Sequence, residues 1–168
     1  MPRTLRLVAY DPAWPAQFDA LASRIRGAVG THLLDLQHVG STAVPGLLSK
    51  PVIDIAATVP TEAAADACIV PLEGLGFRYR GTNGDDPQRR YYVLAADTVR
   101  DAQLHLYILR APAWHAMLRF RDALRADPSL VDAYAAEKRR LAELVGWDKA
   151  RYSEEKGPFV HRVLSAQD

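Results

Sequence analysis

The segment from residue 36 to residue 59 limits the folds open to this chain more than any other. It contains the end of one extended run, 33–39, then a loop of small residues and a second extended run, 51–59. The second run is aliphatic except for one carboxylate, Asp54. A lone acid in an apolar strand is costly unless a cation or a hydrogen-bond donor meets it. The segment therefore predicts two strands of a sheet, and it leaves Asp54 either as a functional carboxylate or as a buried structural one.

The order of the other elements predicts an α+β fold. Apolar spacing, capping residues and prolines predict these elements: an edge strand at 5–9, helices at 11–30 and 61–75, strands at 77–79, 90–96 and 103–109, and helices at 112–126, 128–145 and 148 to the end, with a kink at 157–158. Turns are expected at 81–88 and 97–102, and the second would make a hairpin. Strands come first and helices last, so we expect one α+β domain over 1–168, with a mixed sheet in 1–110 and a helical part in 111–168.

Charge and composition exclude several classes of protein. The chain has 168 residues, with 21 Lys and Arg against 20 Asp and Glu, so a strong nucleic-acid-binding surface is not expected. No apolar run reaches the length of a membrane span, and the start of the chain lacks the apolar stretch of a signal peptide. The single cysteine, Cys68, cannot form an internal disulfide. We therefore expect a cytoplasmic protein that does not contact membranes.

The loop after the first strand offers groups that can hold phosphate. Gly40 lets the backbone approach a ligand closely, and Ser41 and Thr42 add hydroxyls and N–H groups. Lys50, at the end of the same loop, could neutralise the charge of an anion. The alternative is an ordinary turn between two strands.

Two histidines could share a site with Asp54. His38 lies on the first strand, and His105 lies on the 103–109 strand. If these strands are neighbours, the three side chains could act as metal ligands, or Asp54 and His105 could act as acid and base. The alternative for each histidine is a structural residue with satisfied hydrogen bonds.

The predicted C-terminal helices repeat a four-residue spacing. Tyr134 and Lys138 form one such pair, and Tyr152 and Lys156 form another. The members of each pair share a helix face, so they could direct a hydroxyl and a cation towards a phosphate. Arg121 and Arg125 have the same spacing. A solvated helix face is the alternative for all three pairs.

Several of these segments together resemble the GrpB family, which is also called UPF0157. The resemblance is carried by HVGSTAVPGL at 38–47 and KPVIDI at 50–55, and it continues with LHLY at 104–107, Trp114, FRDALR at 120–125, Tyr134 with Lys138, and RYS at 151–153 with Lys156. These segments occur in order along nearly the whole chain, and the first is long enough to be specific.

The resemblance implies the nucleotidyltransferase superfamily, whose fold is shared with the palm of DNA polymerase beta. In such enzymes a Gly-Ser pair ends the first strand, and three acids on two strands bind Mg²⁺; Gly40-Ser41 and Asp54 match the pair and the first acid. The second acid would fall at Ala56, and the third would fall on the strand that carries His105.

We therefore predict a nucleotidyltransferase-like protein that binds a nucleotide or another phosphorylated small molecule, with Mg²⁺ or another divalent cation as a cofactor if it transfers a nucleotidyl group. The alternative is a non-catalytic binding or folding-assistance module, because family members are fused to dephospho-coenzyme A kinase.

Overall fold

A five-stranded mixed sheet lies at the centre of the computed structural model, which describes residues 5–82, 86–96, 99–109 and 111–167. The strands are β1 (Asp35–Val39), β2 (Ile53–Val59), β3 (Arg78–Tyr79), β4 (Arg89–Ala96) and β5 (Val99–Ile108). Their order across the sheet is β1-β2-β5-β4-β3. Strands β2 and β5 are parallel, and the other neighbouring pairs are antiparallel.

Helices lie on both sides of this sheet; in the part of the chain that the structure describes, one precedes it, two lie between its second and third strands, and four follow it. They are α1 (Trp14–Val29), α2 (Glu62–Ala67), α3 (Ile69–Gly74), α4 (Pro112–Ala126), α5 (Pro128–Leu144), α6 (Lys149–Glu155) and α7 (Gly157–Ser165). Thr61 caps α2 by accepting a hydrogen bond from the Ala64 N–H. The α+β prediction is confirmed, and so is the antiparallel pairing of the last two strands.

Three predicted elements differ from the observed ones. The helix expected over 61–75 is two short helices that meet at Cys68, because Pro71 has no N–H to donate to the carbonyl four residues earlier. The edge strand expected at 5–9 is a single bridge between Val8 and Ser49. Strand β5 begins at Val99, so the turn expected at 97–102 is shorter than predicted. Residues 83–85 and 97–98 of the two predicted turns lie outside the described residues.

The two faces of the sheet have different coverings. On one face, aliphatic residues of β2 and β5 pack against α1, α2 and α3 in the largest core cluster. On the other face, Val39, Ala56 and Tyr107 pack against Trp114 of α4. The register decides which strand residues share a face, since paired residues and residues two apart point to the same side.

The loop between β1 and β2 joins the sheet to the C-terminal helices. Val44 and Leu47 of this loop are fully buried and pack with Leu124 of α4, Tyr134 of α5 and Phe159 of α7. The loop that sequence analysis selected is therefore in contact with helices from the distant end of the chain. Among the described residues, no helix has both the length and the apolar character needed to cross a membrane.

Candidate functional site

The turn after β1 begins with a glycine in the left-handed region of backbone conformation. Gly40 has a φ of 71°, and Ser41–Ala43 then form one turn of 3-10 helix. The Val44 N–H donates to the Ser41 carbonyl over 3.1 Å, which closes this turn. The turn places the Ser41 hydroxyl beside helix α5.

Lys138 of α5 is the partner of that hydroxyl. Its ammonium donates to Ser41 Oγ and, over 2.7 Å, to the Leu48 carbonyl, and it lies 4.7 Å from the centre of the Tyr134 ring. Lys138 is only 3% exposed. Burial lowers the pKa of Lys138 well below its usual value, and the positive charges of Lys156 and Lys50 lower it further. The charged form of Lys138 is therefore disfavoured in the protein alone, and a bound anion would favour it.

Asp54 and His105 face the same side of the sheet from the adjacent strands β2 and β5. His105 Nε2 lies 4.0 Å from Asp54 Oδ1. Burial lowers the pKa of His105 to about 3, with smaller contributions from Arg89 and Lys156. The imidazole is therefore neutral, and its buried Nδ1 has no hydrogen-bond partner among the described residues.

Positive charges surround the Asp54 carboxylate. Burial raises the pKa of Asp54, and four lysines oppose that shift by attracting the ionised form: Lys50, Lys156, Lys138 and Lys149. The side chain of Asp54 is 26% exposed, so it can still be reached from solvent. One carboxylate among several lysines leaves an excess of positive charge, which favours an anionic ligand.

Tyr152 and Lys50 contact each other in the same region of the site. Lys50 Nζ lies 5.7 Å from the centre of the Tyr152 ring. Within the described ranges the buried Tyr152 hydroxyl has no hydrogen-bond partner. An unpaired buried hydroxyl is uncommon in proteins, and a bound ligand or water would satisfy it.

The structure therefore brings most of the predicted site residues together. Ser41 contacts Lys138, the charges of Lys50, Lys138 and Lys156 act on Asp54, and Tyr134 and Tyr152 contact the lysines by cation–π interactions.

His38 is the exception, and the proposed three-residue metal site is corrected on this point. Its register partner is Ile55, so it lies on the face opposite to Asp54 and His105. The ring stacks on Phe18 with centroids 4.8 Å apart, and Nε2 contacts Thr42 Oγ1 at 2.9 Å. No group of three His, Cys, Asp or Glu side chains in the described part of the chain could hold a metal ion. His38 has the structural role that was its alternative.

The Thr42 side chain also points away from the predicted phosphate site. Its hydroxyl donates to the Val52 carbonyl over 3.3 Å, and the residue is 1% exposed. The Thr42 hydroxyl is therefore not available to an anion at the turn. The sequence could not reveal this, because the direction of a hydroxyl in a turn depends on the tertiary contacts around it.

Two arginines of α4 hold the turn in place. Arg121 Nη1 donates to the His38 carbonyl over 2.9 Å and to Gln37 Oε1 over 3.0 Å. Arg125 Nε donates to the Ala43 carbonyl over 2.8 Å. The four-residue spacing did place both side chains towards one region, but they bind protein carbonyls at the two ends of the turn.

Gln103 is a site residue that sequence analysis missed. It is the register partner of Asp54 on β5, and its side-chain oxygen accepts a hydrogen bond from the Tyr91 hydroxyl. It lies two residues before His105 and so shares its face. The two-residue spacing between Gln103 and His105 was the sequence signal that could have identified it. Asp54, Gln103 and His105 therefore lie on one face of two adjacent strands, and carboxylate, amide and imidazole groups are donor types that bind divalent cations.

A profile of the family described as "GrpB protein" matches residues 4–166. The chain belongs to the GrpB family. It is 40% identical to the UPF0157 protein BH1888 of Halalkalibacterium halodurans over 162 residues, which are 96% of this chain and 81% of that protein. It is also 33% identical to a dephospho-CoA kinase of Mycolicibacterium paratuberculosis, with 92% of this chain covered but only 44% of the kinase.

Solved structures confirm the fold of this GrpB family chain. The crystal structure of the conserved protein GrpB from Enterococcus faecalis superposes with a TM-score of 0.85 at 28% identity and covers 94% of both chains. The Cid1 poly(U) polymerase with Mg 3'-dATP bound has a TM-score of 0.57 at 17% identity, covering 82% of this chain and 43% of that one. The fold is therefore nucleotidyltransferase-like, as the sequence resemblance implied.

Proposed function

We propose that this chain binds a nucleotide, or another phosphorylated small molecule, at the turn formed by Gly40, Ser41 and Thr42. The observation that carries the proposal is the contact between the Lys138 ammonium and Ser41 Oγ, in a site with more lysines than carboxylates. Phosphate oxygens would accept hydrogen bonds from Ser41, from Lys138 and from backbone N–H groups at the start of the 3-10 turn. Lys50 and Lys156 would neutralise the remaining charge.

Transfer of a nucleotidyl group is the catalytic form of this proposal. Asp54, Gln103 and His105 would hold a divalent cation together with phosphate oxygens of the ligand; Mg²⁺ or the softer Mn²⁺ suits such a mixed set of donors. A bound cation would polarise the phosphoryl group and lower the pKa of an attacking hydroxyl. This chain's own groups would orient the phosphates through Ser41 and Lys138.

A non-catalytic binding or folding-assistance module is the second candidate. It is favoured by Ala56, which is fully buried at the place where the superfamily has its second acid. In the relative named dephospho-CoA kinase, the region similar to this chain makes up 44% of the protein, which makes such a kinase a candidate partner. The cytoplasmic location expected from the sequence stays a prediction.

Calorimetry with ATP, GTP, CTP and UTP, each with Mg²⁺ or Mn²⁺, tests the first proposal. We expect saturable binding of at least one nucleotide by the native chain and a large loss of affinity in Asp54→Asn when the metal is present. Absence of heat for all four nucleotides would contradict nucleotide binding. Release of pyrophosphate on incubation with the bound nucleotide would support transfer, and binding without release would support the module.

A further inference from the structure

A groove of about 580 Å³ lies behind the Ser41–Ala43 turn, on the side of His38. We call it the rear groove and define it by His38, Ala43, Pro45, Leu124, Arg125 and Val131, which are among its lining residues. His38 and Asp54 lie on opposite faces of the sheet, so the rear groove is separate from the proposed phosphate site. Its volume is in the range that small-molecule sites occupy.

The wall of the rear groove is mostly apolar. Pro45 comes from the loop after β1, Leu124 from α4 and Val131 from the first turns of α5. Leu124 is 2% exposed and belongs to the core cluster that joins this loop to the helices. A rigid apolar wall of this kind favours a ligand with a hydrocarbon or aromatic body.

Two nitrogen-bearing side chains provide the polar groups. His38 is 7% exposed, and its Nε2 is engaged by Thr42 Oγ1, so the ring orientation is fixed. Arg125 uses Nε for the Ala43 carbonyl, which also fixes the plane of its guanidinium group. A guanidinium group held by Nε can still present its two terminal amino groups to a carboxylate.

Burial and nearby arginines disfavour the charged forms of both of these side chains. Burial, with smaller contributions from the charges of Arg125 and Arg121, lowers the pKa of His38 to about 4. Burial lowers the pKa of Arg125, and the Arg121 charge lowers it further. Asp122, which pairs with Arg121 over 2.7 Å, and Tyr10 oppose these effects. An anion beside Arg125 would offset the cost of burying its charge. Asp132 also lines the groove, and its carboxylate disfavours a ligand with several negative charges.

We propose that the rear groove is a second binding site, for an amphipathic monocarboxylate whose carboxylate meets Arg125 and whose apolar body lies on Pro45, Leu124 and Val131. The groove and the phosphate site share the 3-10 turn, because Arg125 binds the Ala43 carbonyl and Lys138 binds Ser41. A ligand that binds Arg125 in the rear groove would therefore act on the same turn that carries the Ser41 hydroxyl.

Displacement of a fluorescent probe tests the site. The probe is 1-anilinonaphthalene-8-sulfonate, an aromatic monoanion whose fluorescence rises in apolar surroundings, and the competitors are octanoate and octanol. We expect octanoate to displace the probe from the native chain at about tenfold lower concentration than octanol does, the ratio that one charge-assisted pair gives. Equal displacement by the two competitors would overturn the assigned role of Arg125.

Variants locate the site on the chain. In Arg125→Met, octanoate should displace the probe only at the concentration that octanol requires. Arg139→Met, at an exposed arginine of α5, should leave the difference between the two competitors unchanged. Val131→Trp should fill the groove and abolish both displacements, and Leu144→Trp, on an exposed part of α5, should not. Circular dichroism of each variant checks that it is folded. Probe binding that survives Val131→Trp in a folded protein would overturn the proposal.

Discussion

A side chain on Gly40 would collide with Asp54. A Cβ atom built on Gly40 would lie 2.5 Å from Asp54 Oδ2 and 2.9 Å from Asp54 Cβ. The φ of 71° at Gly40 also disfavours any residue with a side chain. The Asp54 side chain therefore occupies the space that a side chain at residue 40 would need, so this position of Asp54 requires a glycine in the turn.

Gly40→Ala is expected to destabilise the fold and to displace Asp54. The collision and the positive φ together should lower the free energy of unfolding by about 1–3 kcal/mol. Gly27→Ala is the control, because a Cβ at this helical position meets nothing within 4 Å, and it should stabilise the protein by about 0.5–1 kcal/mol. Urea unfolding of the two variants measures both changes. Equal stability of the two would show that the contact with Asp54 is not restrictive.

Lys138→Met should separate ligand binding from folding. The change keeps the length of the side chain and removes a buried charge, so the loss of the Ser41 and Leu48 hydrogen bonds is offset by the removal of a costly cation. We expect a melting temperature within about 4 °C of the native value and an affinity for nucleotide reduced by about tenfold or more. Arg139→Met, at the next residue on the exposed side of α5, should change neither. If Lys138→Met keeps the native affinity for nucleotide, Lys138 does not take part in binding.

Binding of a phosphate-containing ligand without metal should be accompanied by proton uptake. Burial and neighbouring lysines lower the pKa of Lys138 in the ligand-free protein, and an anion beside it would raise that pKa again. A group whose pKa rises on binding takes up protons, so affinity should fall as pH rises. Calorimetry with pyrophosphate and a chelator, in buffers of different ionisation enthalpy, counts the protons. Lys138→Met should abolish the uptake, and proton release by the native chain would contradict this account.

Arg121→Met should be much more damaging than removal of an exposed arginine. Arg121 is 9% exposed and binds the His38 carbonyl and Gln37 Oε1, so its loss leaves the buried His38 carbonyl without this donor. We expect a decrease of about 1–3 kcal/mol in the free energy of unfolding. Arg140 has an ion pair with Glu137 on the surface of α5, and Arg140→Met should produce no measurable change. Similar denaturation curves for the two variants would show that the Arg121 contacts carry no stability.

Acid should destabilise the protein partly through His38. Its pKa is lowered from 6.5 to about 4 in the folded chain, so the unfolded chain binds more protons between these values. Stability is therefore retained above about pH 6.5 and lost as pH falls towards about pH 4, by up to about 1.4 kcal/mol per pH unit from this one group. His38→Gln keeps a donor near Thr42 and should flatten the stability profile in this window. His161→Asn, at an exposed position of α7, should keep the native profile.

The local elements were largely readable from the sequence. Prolines at residues 112, 128 and 158 sit in the first turns of α4, α5 and α7 because their fixed φ suits those positions. The hydrophobic run of β2 required a strand buried on both faces, and it is the second of the five strands across the sheet. The break at Cys68 was not foreseen, although the effect of Pro71 is local, because the spacing of apolar residues continues through it.

The sequence by itself determined the strand, turn and strand around Gly40, the one acid on β2 and the lysine and tyrosine pairs on the later helices. These depend on backbone propensity and on periodicity, which act over a few residues. Only the tertiary structure decided which of these groups meet. The register of β1 with β2 turned His38 away from Asp54, and the packing of α5 on the loop brought Lys138 to Ser41 across 97 positions of the chain. Such contacts depend on how whole faces of sheet and helix are buried together, and no local pattern records that choice.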